Sequence, residues 1–94
     1  MSPASLYALR KGRSARVTGL APAALPGDED LRLRLLELGF VPGEEVRIIA
    51  EGFPGRDPLA VRVGSSTFAL RRHEAELVLV DGSGAVQSGT AQAA

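Results

Sequence analysis

Cysteine is absent from this 94-residue chain. That excludes a disulfide framework, a thiolate nucleophile and any cysteine-bound zinc or iron–sulfur centre. Tryptophan is missing too, and three Phe and one Tyr are the only aromatic rings. Because hydrophobic residues still make up 45% of the chain, its core must be built from Leu, Val, Ile and Ala. Neither sign of charge dominates, since eleven basic residues face eleven acidic ones. The general pull toward nucleic acid or anionic lipid is therefore missing. No run reaches the about 18 apolar residues of a membrane span, and the N-terminal MSPASLYALRKGRSARV lacks a signal-peptide core. The expectation is a soluble cytoplasmic protein with no nucleic-acid partner and no membrane insertion. A domain of this length buries only roughly two-thirds of its unfolded surface, so no large active-site cavity is expected.

What the chain does contain is most telling at LELGFVPGEEV, Leu36 to Val46. Gly39 stands where a leucine-rich helix needs a left-handed residue to close, and Pro42-Gly43 then turns the chain into a β-branched run. The order is helix, turn, strand. Upstream, Met1 to Ser5 is small and read as loose, Leu6 and Leu9 can pack, and Ala15 to Leu20 alternates as a first strand with Gly19 marking a bulge or close approach. APAALPGDED follows, where Asp28 or Asp30 is placed to cap a helix. Leu31 to Leu35 alternates like a strand, but the acidic start, Gly39 and the Leu31, Leu35, Leu38 stripe favour a helix. Leu33 falls off that stripe, between Arg32 and Arg34.

Downstream, Val46 to Ala50 reads as a strand and EGFPGRDP as a loop. Leu59 to Val63 and Thr67 to Leu70 form a hairpin around Gly64-Ser65. Arg71 to Ala75 suits one helical turn, and Leu77 to Val80 a final strand covered on both sides. From Gly82 the sequence GSGAVQSGTAQAA cannot build a core. The expected organisation is a domain over residues 1–81 and a disordered tail over 82–94. Five short strands with one helix after the first suit a mainly β, SH3-like barrel, because closure removes edge strands.

Three segments resemble the FeoA family of bacterial ferrous-iron uptake. RLLELGFVPGEEVRII, Arg34 to Ile49, is similar to the family's leucine-rich helix followed by Leu-Gly-hydrophobic-x-Pro-Gly. DPLAVRVGSSTFALRR, Asp57 to Arg72, resembles its Gly-Asp-Pro hairpin, and HEAELVLV, His73 to Val80, its closing turn and strand. Arg56 departs from the pattern by separating Gly55 from Asp57-Pro58. The resemblance implies a non-enzymatic SH3-like accessory to FeoB, a membrane iron transporter with a cytoplasmic GTP-binding domain. The same barrel type closes iron-dependent repressors, but this length leaves no room for their DNA-binding domain.

Any imidazole chemistry must pass through His73, the single histidine. Ser65, Ser66 and Asp57 make only a nominal triad with it, since no nucleophile elbow surrounds either serine. A transition-metal site usually recruits several imidazole or carboxylate groups, and here one His has Glu74 and Glu76 near it in sequence. No cofactor is required; a weak zinc or iron site shared between two copies is the form that one histidine allows. GFPG at Gly52 to Gly55 and GSG at Gly82 to Gly84 superficially match nucleic-acid and phosphate loops, but the first lacks a flanking helix pair and a basic surface, and the second follows a strand without opening a helix. Partner binding is the more natural activity. Phe53, in a polar Gly/Pro-rich loop, either folds back onto the barrel or meets another protein, and Leu33 with Arg32 and Arg34 offers a second surface. The expected partner is FeoB, with the chain itself a monomer or weak homodimer. Its alternative is a metal-responsive module that dimerises around a divalent ion.

Overall fold

Gly39 closes the helix as its position requires. The computed structural model describes residues 4–81, and the expectation for a tail from 82 onward lies outside them. Helix α1 (Asp28–Leu38) stops where Gly39 takes φ 113°, a left-handed conformation costly to residues with a Cβ. Its N–H and that of Phe40 donate to Leu36 O and Leu35 O, both at 3.0 Å, satisfying carbonyls the helix end would orphan. The Pro42-Gly43 turn is then laced to the first long strand, with Gly43 N–H donating to Val17 O and Val17 N–H to Glu44 O, each at 2.8 Å.

Six strands form one antiparallel sheet: β1 (Ala4–Ser5), β2 (Ser14–Leu20), β3 (Glu45–Glu51), β4 (Leu59–Val63), β5 (Ser66–Leu70) and β6 (Val78–Val80), in the order β1-β6-β2-β3-β4-β5. A 3-10 turn spans Leu6–Ala8, and helix α2 (Arg72–Leu77) joins β5 to β6. The sixth strand exceeds the five expected. It arises because Ala4 and Ser5 pair with Val80 and Leu79, a long-range pairing that two small residues cannot announce. Register shifts between Val17 and Gly19 in β2 and between Ile48 and Ala50 in β3 mark bulges, which bend the sheet.

The core is aliphatic apart from one ring. Leu6, Val17, Leu35, Phe40, Val46, Ile48, Leu59, Val61, Val78 and Val80 are all fully buried. Alternation works where expected, with Leu59, Val61 and Val63 inward and Arg62 outward. Two expectations need correction. Helix α1 begins at Asp28, and its cap position is Gly27, so neither Asp28 nor Asp30 caps it. Asp28 instead turns its carboxylate back onto the preceding loop, accepting N–H bonds from Ala24 and Leu25 at 3.0 Å each. Leu77 ends α2 rather than opening the last strand, and Leu79 in that strand is only half-buried.

Candidate functional site

Asp28 is buried at 2% exposure, and the groups that hold it explain why a carboxylate tolerates that position. The Ala24 N–H, then His73, then the Leu25 N–H stabilise its charged form and hold its pKa down to about 2, from an ordinary 3.8. His73 Nε2 lies 2.8 Å from Asp28 Oδ1, joining α2 to the start of α1 across 45 positions of sequence. Nothing local to either residue reveals that pairing. The nominal triad does not assemble around the ring, because Asp57 serves other groups: it accepts the Arg72 N–H at 3.2 Å and pairs with Arg71 at 3.7 Å.

His73, Glu74 and Glu76 share α2 but engage different groups. Glu74 accepts the N–H of Arg71, the residue just before α2, at 2.7 Å. Glu76 binds Arg72 Nε at 3.0 Å and stands 4.0 Å from His73 Nδ1. Among the described residues no three His, Asp or Glu side chains converge as a metal would need. The residues present therefore do not fit an internal transition-metal site.

The Glu51–Pro58 loop is built more firmly than its composition suggests. Arg56, the residue that interrupts Gly-Asp-Pro, takes φ 60° and sends its guanidinium to the 3-10 turn. It donates to Tyr7 O at 2.9 Å and to Leu9 O, and lies 4.7 Å from the Tyr7 ring centroid. Its buried Nε sits 3.1 Å from Glu51 Oε2 without in-line hydrogen-bond geometry. Tyr7 returns a bond from its hydroxyl to Gly55 O at 3.0 Å, and the Lys11 N–H donates to Glu51 at 3.0 Å. That N–H first, and Arg56 after it, holds the Glu51 carboxyl below the usual range. Gly52 is required for closure, since a Cβ there would meet Asp57 O at 2.6 Å. On this braced loop Phe53 stands 94% exposed, so the alternative in which it folds back onto the barrel is not what occurs.

On α1 the arginines flanking Leu33 divide their roles. Arg32 donates from Nε to Ala21 O at 2.9 Å and approaches Glu29 at 3.5 Å, so it ties the helix to the end of β2. Arg34 is exposed, and its side chain makes no hydrogen bond or ion pair among the described residues. Leu33 is 60% exposed, and Leu36, three positions on, is exposed as well. Sequence reasoning passed over Leu36, although its place off the Leu31, Leu35, Leu38 stripe marks it as clearly as that of Leu33.

A family model for the FeoA domain matches residues 4–82. The chain is similar to the zinc-complexed crystal structure of Stenotrophomonas maltophilia FeoA, at 42% identity and TM-score 0.75 over 85% of this chain and 92% of that one. That protein is described as a procaryotic SH3 domain protein possibly acting as a ferrous iron transport activating factor. The FeoA protein of Chlorobium tepidum matches at 34% identity and TM-score 0.66, over 81% of this chain and 67% of that one. A manganese-dependent transcriptional repressor shares the fold alone, at 19% identity and TM-score 0.70 over 83% of this chain and 40% of that one. No curated protein sequence matches. The architecture is thus SH3-like, as the strand pattern predicts. No helix among the described residues is long and apolar enough to cross a membrane.

Proposed function

The chain belongs to the FeoA family of non-enzymatic accessory proteins, and we propose that it serves ferrous iron uptake by contacting the cytoplasmic part of the FeoB transporter. Family membership carries the reading. Its support in the molecule is apolar surface that the fold does not use, namely Phe53 on a loop braced by Arg56, and Leu33 and Leu36 on α1. Aromatic and arginine side chains on a rigid support are the types that anchor protein interfaces. The contact would change the stability or activity of the transporter. A titration of the purified cytoplasmic region of FeoB, with and without guanine nucleotide, tests it. Saturable binding that weakens in Phe53→Ala or Leu33→Glu is expected; absence of binding in every nucleotide state overturns it.

The zinc found with the Stenotrophomonas maltophilia protein favours a second reading, a divalent ion shared between two copies through His73. This reading requires the ring to leave Asp28 or to ligate through Nδ1 beside Glu76. Zinc-dependent dimerisation lost in His73→Ala would support it, and unchanged zinc affinity in that variant would remove His73 as a ligand.

A further inference from the structure

On the solvent side of the sheet, Arg47 of β3 and Arg62 of β4 are direct cross-strand partners, and both are exposed. Like charges set opposite each other weaken a pair of strands. Lys11 joins them around one open hollow of about 410 Å³, lined also by Gly12, Ile48 and Ile49. That volume lies within the about 300–1,000 Å³ of small-molecule sites. None of the three cationic side chains makes a hydrogen bond or ion pair among the described residues, and no Asp or Glu lines the hollow. Glu51, which accepts the Lys11 N–H, is already paired with Arg56 and Arg10. Glu44 and Glu45 line the neighbouring hollow, which shares the two arginines, yet neither forms an ion pair with them. Residues 1–3 and 82–94 contain no Asp or Glu to bring there. The balance of eleven basic and eleven acidic residues thus conceals a local excess of positive charge.

We propose that Lys11, Arg47 and Arg62 form a site for a diphosphate group, free or carried by a small molecule such as a nucleotide. A diphosphate spreads several negative charges over adjoining oxygens, so both guanidinium groups and the ammonium engage it together. A lone carboxylate would leave most of the positive charge uncompensated. The repulsion that weakens the empty protein becomes attraction for the anion. Backbone amides take no part, because the Gly12 N–H donates to Ile48 O and the Lys11 N–H to Glu51. Recognition therefore rests on exposed side-chain charge, and salt weakens it. A second copy of the chain suits the hollow less well, since the Glu44 and Glu45 it would offer stand beside its own Arg47 and Arg62 and bring that positive charge with them. The site stands independently of any contact with a transporter.

The test titrates the full chain with sodium diphosphate, adenosine diphosphate and citrate in metal-free buffer at one low ionic strength, read by NMR amide shifts and melting temperature. Diphosphate should shift the Lys11, Arg47 and Arg62 amides and raise the melting temperature, and citrate should bind at least about tenfold more weakly. Binding of both phosphate ligands assigns a carried group; binding of inorganic diphosphate alone assigns the free anion. Arg47→Gln should raise the melting temperature of the ligand-free protein, because the cross-strand repulsion goes, yet weaken diphosphate at least about tenfold. An arginine with a merely structural role would lower that temperature when replaced. If Arg47→Gln fails to fold, Arg62→Gln makes the same test from the other strand. Arg34→Gln removes an exposed, unpaired charge on α1 and should leave diphosphate binding unchanged. Unshifted amides at millimolar diphosphate would overturn the proposal. So would citrate binding as tightly as diphosphate, an equal loss in Arg34→Gln, or a ligand-free dimer in sedimentation that Arg47→Gln dissolves.

Discussion

Helix α1 carries five leucines and buries one of them, whereas the shorter α2 carries two apolar residues and buries both. The difference lies in how each helix meets the sheet. Leu35 enters the core, Leu31 and Leu38 reach it in part, and Leu33 and Leu36 point away from it. Helix α2 is a six-residue bridge between β5 and β6, and it seats Ala75 and Leu77 with no apolar residue to spare. Apolar content therefore measures what a helix has to bury, while its setting decides how much it does bury. The surplus on α1 is where a partner has something to gain.

The comparison is most sharply broken at Leu35. At 1% exposure, Leu35→Ala should cost about 2–5 kcal/mol in a urea titration, because a cavity is added to the lost transfer energy. Leu33→Ala, two residues away, should stay within about 0.5 kcal/mol of the parent. Equal losses at the two positions would mean that α1 buries its second face. Next in size is the helix stop. Gly39→Val should cost about 1–3 kcal/mol through backbone strain alone, since a Cβ at Gly39 would meet Val63 only at an ordinary 3.7 Å.

The bond between the helices gives a smaller effect that depends on pH. Because the folded pKa of Asp28 is depressed to about 2 from 3.8, its contribution is complete above the ordinary carboxylate range and is lost as pH falls from about 4 toward about 2. Asp28→Asn should therefore flatten part of the acid limb of a stability–pH profile and change its shape little above about pH 5. An unchanged acid limb would show that other carboxylates, Glu51 among them, carry the dependence. The smallest effect on stability, and the largest on association, is expected for Leu33→Glu and Phe53→Ala. Both should melt near the parent temperature and bind the cytoplasmic region of FeoB more weakly. If either unfolds, that residue supports the fold.

Local reading went furthest where the signal is periodic or conformational. Leu59 to Val63, the Gly64-Ser65 turn and the Gly39 stop each involve neighbours within a few residues, and each stands where expected. It failed at Asp28, where the carboxylate was expected to cap the helix that follows. It bonds backward to Ala24 and Leu25 instead, and across the fold to His73. Arg56 was visible as a break in a pattern, but its clasp on Tyr7 and Leu9 depends on a turn more than forty positions away. The placement of Glu74 and Glu76 near His73 in sequence did not bring them to a common point, because the Arg71 N–H and the ion pair with Arg72 claim them.

The amino-acid sequence by itself determined the class of core, the helix–turn–strand junction, the hairpin and the family, because these rest on composition, on period and on short motifs whose physics is local. Only the tertiary structure decided that Asp28 and His73 meet, that Arg56 braces the loop carrying Phe53, and which leucines of α1 remain at the surface. Those outcomes depend on contacts between segments distant along the chain. Their geometry is set by how the strands pair and bend, which no window of neighbouring residues contains.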